Sequence, residues 1–306
     1  MRLSRRDFLG ASSAIAAAFG MRIVWRDGAA YARERDDGGL PIVWLQGQSC
    51  SGCSVSLLNS IFYATIDDLL VNTLDLEFHS TLMPAAGPLA IAAAEKAYRR
   101  GGYVLVFEGA VPSEGEYCEL WPGLPAEKGL LRYARRASLI MAVGSCASHG
   151  GLVAGAPNPT GAAGLAEEYF GTRVIKMPGC PAHPDWVVGT IAGILATGAM
   201  PALDAHGRPV EFYGKLVHDH CPNLQDYKDG IFAKSLGEPG CLFELGCKGP
   251  RAFADCPGRR WNSGAAGEPG YNWCIEAGSP CIGCAEPEYP DGMSPFFTFP
   301  PAGQAD

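Results

Sequence analysis

Between residues 40 and 200 the chain alternates two textures. Short, continuously apolar runs at 41–46, 74–81, 103–107, 138–143 and 173–177 predict strands. Segments 54–72, 91–100 and 184–197 carry apolar residues at helical spacing and predict helices. Strands that are apolar at every position, rather than at alternate ones, are covered on both faces. The expected fold is therefore α/β, with a doubly wound parallel sheet, and such sheets bind ligands in the crevice beyond the carboxyl ends of their strands. From about residue 202 the periodicity fades into Gly, Pro and aromatic residues. That texture predicts a second, loop-rich unit organised around ligands.

The first residues read as an address. Ser4-Arg5-Arg6-Asp7-Phe8-Leu9-Gly10 is a twin-arginine run, residues 11–21 are weakly apolar, and Ala30-Tyr31-Ala32 offers a small-x-small cleavage site. This is the layout of a Tat export signal over residues 1–32. The expected division is then 33–200 for the sheet domain and 201–306 for the loop-rich one. The apolar part of the leader is too short for a bilayer, and no later run approaches the roughly 18 residues a span requires. A soluble, periplasmic mature chain is expected.

Composition narrows the classes. With 306 residues, 47% hydrophobic and 18% charged, the chain is neither largely disordered nor too small for its own core. Its net charge of −8 argues against general nucleic-acid binding, and losing the Arg-rich leader makes it more acidic still. The 12 cysteines are what remain to be explained.

Four of them sit where the predicted strands end. Cys50 and Cys53 follow the first strand, Cys146 the fourth and Cys180 the fifth, each beside glycines that permit close backbone approach. Four thiolates from three loops make a tetrahedral all-sulfur site, for zinc or an iron–sulfur cluster. A thioredoxin-like pair would use Cys50 and Cys53 alone and leave Cys146 and Cys180 without a role. Glu108 ends the third strand at the same rim, where a solvated carboxylate is expected. In the loop-rich part, His218, Cys221, Cys241 and Cys247 form one set and Cys256, Cys274, Cys281 and Cys284 another. His218, within a polar His-Asp-His run, also reads as an ordinary surface histidine. Disulfides compete, because the chain is exported and its cysteine count is even. Against them stand a domain that needs no staple and an export route that folds its cargo among reduced thiols.

At this point CSGCS, FEGAVP, GSCASHGG, PGCPAHPDW, EFYGKLVHDHC and AGSPCIGCAEP, in this order, make the chain resemble the small, electron-transferring subunit of exported [NiFe] hydrogenases. The resemblance runs from about residue 41 to 289 and includes the leader. It implies a flavodoxin-like sheet domain and three iron–sulfur clusters: a proximal [4Fe–4S] on Cys50, Cys53, Cys146 and Cys180, a distal [4Fe–4S] on His218, Cys221, Cys241 and Cys247, and a medial cluster on Cys256, Cys281 and Cys284. The commonest family pattern has proline where this chain has Cys274, with a [3Fe–4S] medial cluster. Cys274 supplies a possible fourth ligand, so a medial [4Fe–4S] is expected, as in the selenium-containing relatives. Oxygen-tolerant members carry two further cysteines around the proximal cluster, where Gly52 and Gly151 stand here. Cys118 is left as a non-ligand, and Glu108 becomes a candidate for tuning the proximal cluster or handling protons.

The resemblance also implies a heterodimer. The catalytic nickel–iron centre would lie in a large subunit, whose paired CxxC ligands this chain lacks, so no catalytic residue is expected here. The electron acceptor would be a periplasmic cytochrome c or a membrane cytochrome b. Two other readings are a hydrogen-sensing regulatory subunit, which the leader disfavours, and an exported interaction protein stapled by disulfides or zinc.

Overall fold

The computed structural model describes residues 21–26, 29–34, 39–113, 115–165, 170 and 174–297. The twin-arginine run lies outside them. The described part of the expected leader pairs β1 (Met21–Arg26) with β2 (Ala29–Glu34) as antiparallel strands, so the expected cleavage site Ala30-Tyr31-Ala32 falls in β2.

Five strands form the central sheet: β3 (Leu40–Gln46), β4 (Leu74–His79), β5 (Val104–Glu108), then β8 (Leu139–Val143) and β9 (Val174–Met177) after a small antiparallel pair, β6 (Glu119–Trp121) and β7 (Leu124–Pro125). Their order is β4-β3-β5-β8-β9 and every pairing is parallel. This is the doubly wound, flavodoxin-like order, whose switch point lies between β3 and β5. Successive side chains point to opposite faces. Ile42, Trp44, Val104, Val106, Met141 and Ile175 therefore pack on one side with Val187, Val188 and Ile191 of the helix Pro184–Thr197. Val43, Leu45, Leu105, Phe107 and Ile140 pack on the other with Ala94 and Ala97 of Pro88–Arg100 and Leu130 and Tyr133 of Ala126–Ala134. Both faces are covered, which is why these strands carry no polar alternation.

The long helix expected over 54–72 is interrupted. Gly52–Leu57 is helical, and regular structure resumes at Ile66–Asp68 and Leu69–Thr73. Between them the Asn59 amide donates to the Val55 carbonyl and the Ser60 hydroxyl to the Ala64 carbonyl, local bonds that compete with a helical ladder.

After Thr197 the chain contributes no strand to the main sheet among the described residues and proceeds through single turns. It is nevertheless not held by ligands alone. Phe212, Tyr213, Val217, Leu242, Leu245, Trp273 and Ile275 form an apolar cluster that also takes in Trp186 from the sheet's own helix. Among the described residues no helix is long and apolar enough to cross a membrane.

Candidate functional site

The carboxyl ends of β3, β8 and β9 feed the loops that carry the first group of thiols, and β5 ends beside them at Glu108. Cys53 lies in the first turn of Gly52–Leu57, preceded by Ser51 in the left-handed conformation (φ 60). Cys146 lies in the short helix Ser145–His149, and Cys180 follows β9. Cys53 is within electrostatic reach of Cys146 and Cys180, and Cys146 of Cys180 and Cys50, so the four form one group. At Gly144 (φ +88) a Cβ would sit 2.5 Å from the Cys53 sulfur, so only glycine leaves this cradle open.

Beneath the group lies Glu108, which the structure buries to 2% exposure instead of leaving it solvated. Its Oε1 accepts the backbone N–H groups of Cys53 (3.1 Å) and Ser54 (3.4 Å). Its Oε2 accepts Trp44 Nε1 (3.0 Å), Gln46 Nε2 (3.1 Å) and the Ser54 hydroxyl (2.5 Å). A buried carboxylate with five donors is a fixed structural anion, and two of those donors open the helix that carries Cys53. Behind it, His79 Nδ1 accepts the Thr81 and Leu82 N–H groups, which leaves the proton on Nε2 to be donated to the Ser54 hydroxyl (3.2 Å). Burial holds the His79 pKa down, to about 4. Sequence reading missed Trp44, Gln46, Ser54 and His79 as the supports of this anion. The signal available was a carboxylate and a histidine ending the two strands that flank β3.

The second group is equally compact. Cys256 opens the short helix Cys256–Arg259 and lies within electrostatic reach of Cys284, Cys281 and Cys274. Cys274 also reaches Cys281 and Cys284, so the structure brings it to this group rather than leaving it aside. The indole N–H of neighbouring Trp273 is buried with no acceptor among the described residues. In the third group Cys221, Cys241 and Cys247 face one another. Together with His218 they line a cleft, which His220 does not line. His218 packs edge-on against Tyr227 at 4.5 Å, so it is not a free surface side chain. Cys118 belongs to no group, and burial alone raises its thiol.

The groups adjoin in series. Cys284 of the second is within electrostatic reach of Cys180 of the first, and Cys281 of the second is within reach of Cys247 of the third. The AHPDW residues, from Ala182 to Trp186, hold this arrangement. His183 Nε2 bonds the Arg260 carbonyl (2.7 Å), and Trp186 Nε1 donates to Asp255 (2.8 Å), the residue before Cys256. Arg259 clamps Asp255 at 2.7 Å and Asp185 at 3.3 Å.

All twelve cysteines are free thiols, so the disulfide alternative is not what the structure contains. Among the described residues no three His, Cys, Asp or Glu donors converge closely enough for a single metal ion. Zinc ligands at about 2.0–2.3 Å would require that convergence. Burial raises the Cys221 thiol to about 11, the Cys284 thiol to about 12 and the Cys53 thiol higher still. Such thiols ionise readily when a metal takes up their charge. Thiols grouped from several loops, partly buried and in the first group cradled by glycine, fit a polynuclear, cysteine-ligated cluster.

Comparison with known proteins agrees. The family model for the C-terminal part of the "NiFe/NiFeSe hydrogenase small subunit" matches residues 213–297, and "NADH ubiquinone oxidoreductase, 20 Kd subunit" matches 50–194. The periplasmic [NiFeSe] hydrogenase small subunit of Desulfomicrobium baculatum is 40% identical, over 97% of this chain and 99% of that protein. The chain belongs to the [NiFe]/[NiFeSe] hydrogenase small-subunit family. It is thus a subunit of a hydrogenase. The periplasmic [NiFe] hydrogenase small subunit 1 of Nitratidesulfovibrio vulgaris is 38% identical, over 96% of this chain and 93% of that one. The fold matches the reduced, active Ni-Fe-Se hydrogenase from D. baculatum with a TM-score of 0.78 and 38% identity, covering 86% of this chain and all of that one.

Proposed function

We propose that this hydrogenase small subunit is the electron relay of a periplasmic enzyme exported by the Tat route, carrying electrons from H2 oxidation in a large partner subunit to an external acceptor. The observation that carries the reading is the series of three adjoining thiol groups running from the sheet's carboxyl edge into the loop-rich region. Cys50, Cys53, Cys146 and Cys180 would hold the proximal cluster. Cys256, Cys274, Cys281 and Cys284 would hold the medial one, and His218, Cys221, Cys241 and Cys247 the distal one. Each iron–sulfur cluster, when bound, supplies a one-electron carrier whose potential depends on its type, charge, hydrogen bonding and exposure. The protein's part is to hold these sites at fixed separation. Glu108 fixes the first turn of the Cys53 helix, Arg259 and Asp255 fix Cys256, and Tyr227 orients His218. The large subunit would bring the nickel–iron or nickel–iron–selenium centre, and the acceptor would be a periplasmic cytochrome c or a membrane cytochrome b.

Two details follow from the residues. At Gly52 a Cβ would stand 3.0 Å from the Cys50 sulfur, and at Gly151 (φ +52) 2.7 Å from the Cys146 nitrogen. Gly151 leaves no room for a side chain, a Cβ at Gly52 would press on the Cys50 sulfur, and neither position carries the extra cysteine of the oxygen-tolerant pattern, so an ordinary proximal cubane is proposed. Cys274, facing the other three medial thiols, argues for a medial [4Fe–4S] cluster. Low-temperature EPR of the oxidised heterodimer should then lack the near-isotropic [3Fe–4S] signal, and Cys274→Pro should acquire it. A strong signal of that kind in the wild-type complex would show that Cys274 is not a ligand.

A further inference from the structure

Among the described residues Trp44, Trp186 and Trp273 are the fully buried tryptophans. Two of the three indole N–H groups have acceptors, Glu108 for Trp44 (3.0 Å) and Asp255 for Trp186 (2.8 Å). Trp273 differs: its residue is 3% exposed, and its Nε1 meets no acceptor among the described residues, sulfur included. A buried indole usually finds a partner for its N–H, and an unmet donor weakens a fold. Water is a poor substitute here. A buried water needs two or more polar partners, and the ring belongs to the apolar cluster of Phe212, Val217, Leu242, Leu245 and Ile275.

The main chain on either side of the ring is pinned to the loops of the second thiol group. The Asn272 carbonyl accepts the N–H of Trp261 (2.7 Å), which lies just beyond the Cys256–Arg259 helix. The Trp273 and Cys274 carbonyls accept the N–H groups of Ala277 (2.8 Å) and Ser279 (2.9 Å), in the turn that leads to Cys281. Cys256 and Cys281 pack against the same apolar cluster, as do Cys221 and Cys247 of the third group. We propose that the Trp273 indole N–H is a donor reserved for the medial cluster, bonding one of its inorganic sulfides and holding its reduction potential up. Reduction gathers negative charge on a cluster's sulfurs, so a donor aimed at them favours the reduced state. This opposes the effect of the adjacent Cys274 thiolate, which adds negative charge to the same site. No covalent bond changes, and the proton stays on Nε1. The inference rests on reading the second thiol group as a cluster site.

The test uses the assembled heterodimer labelled with indole-¹⁵N tryptophan, as wild type and as Trp273→Phe. Iron content and an EPR-monitored redox titration are recorded for both, with pulsed EPR at a potential where the medial cluster is reduced. The wild type should show a ¹⁵N coupling at the medial cluster. Trp273→Phe should lose it and shift the medial potential downward, with iron content and the proximal and distal potentials unchanged. A wild-type medial cluster without ¹⁵N coupling overturns the proposal, whether or not the variant folds. So does an unchanged medial potential in iron-replete Trp273→Phe, or a shift confined to the distal cluster, which would assign the donor to the third group. A wild-type complex with no medial cluster defeats the functional reading itself, and iron content and titration reveal this before any variant is compared.

Discussion

Glu108 shows how much a single residue's environment decides. At the end of a strand its sequence context suggests a carboxylate in water, yet the structure surrounds it with Trp44, Gln46, Cys53 and Ser54 as donors. Replacing it by Gln turns one of its oxygens into a donor facing donors, whichever way the amide lies. Glu108→Gln should cost about 1.5–3 kcal/mol of stability, the range for hydrogen bonds to a charged group, and should disturb the proximal EPR signal. A thermal midpoint and proximal signal equal to wild type would contradict this role. His79 adds a pH dependence whose sign is fixed. Its folded pKa is about 4 against 6.5 for the free side chain, so the unfolded chain binds the proton first as the pH falls. Its contribution is complete above about 6.5, shrinks between 6.5 and 4, and amounts to about 3 kcal/mol. His149 and His183, each held down to about 3 by burial, act in the same direction. The thermal midpoint should therefore fall on acidification below pH 6.5, and less steeply in His79→Gln.

Among the elements, the buried strands were the most legible, because a parallel sheet covered on both faces leaves no polar positions to confuse the pattern. The helix Pro184–Thr197 also matched its apolar spacing at both ends. The interrupted helix after Leu57 was not legible, since Asn59 and Ser60 act through side-chain bonds that periodicity cannot register. Ala126–Ala134, amphipathic but short, and the β6–β7 pair were not anticipated either. Where a strand hands over to a thiol-bearing helix, backbone geometry becomes the limiting factor. Gly144 has both a left-handed φ and the Cys53 sulfur 2.5 Å from its absent Cβ. Gly144→Ala should lower the iron content of the heterodimer and remove the proximal EPR signal while the distal signal persists. Full proximal occupancy in that variant would show that the cradle yields more easily than this geometry implies.

For the molecule as a whole, the three thiol groups were legible because spacing and strand ends already sorted eleven cysteines into them, while His218 read as an ordinary surface histidine until the family resemblance set it beside Cys221. Their support was not. The Glu108 network, the AHPDW–Asp255–Arg259 clamp and the hydrogen bond from the Ser145 hydroxyl to the Cys284 carbonyl join residues far apart in sequence, and only the fold places their partners. The apolar cluster around Phe212, Tyr213 and Trp273 was hidden for a related reason, since aromatic residues in irregular loops carry no period to read. The central claim is that these three groups are three clusters in series. Iron and sulfide analysis of the purified heterodimer, joined to an EPR-monitored redox titration, tests it most directly. The account predicts about twelve iron atoms beyond those of the large subunit, in three separately titrating [4Fe–4S] clusters. A colourless complex, or small-subunit iron sufficient for only one cluster, would contradict it.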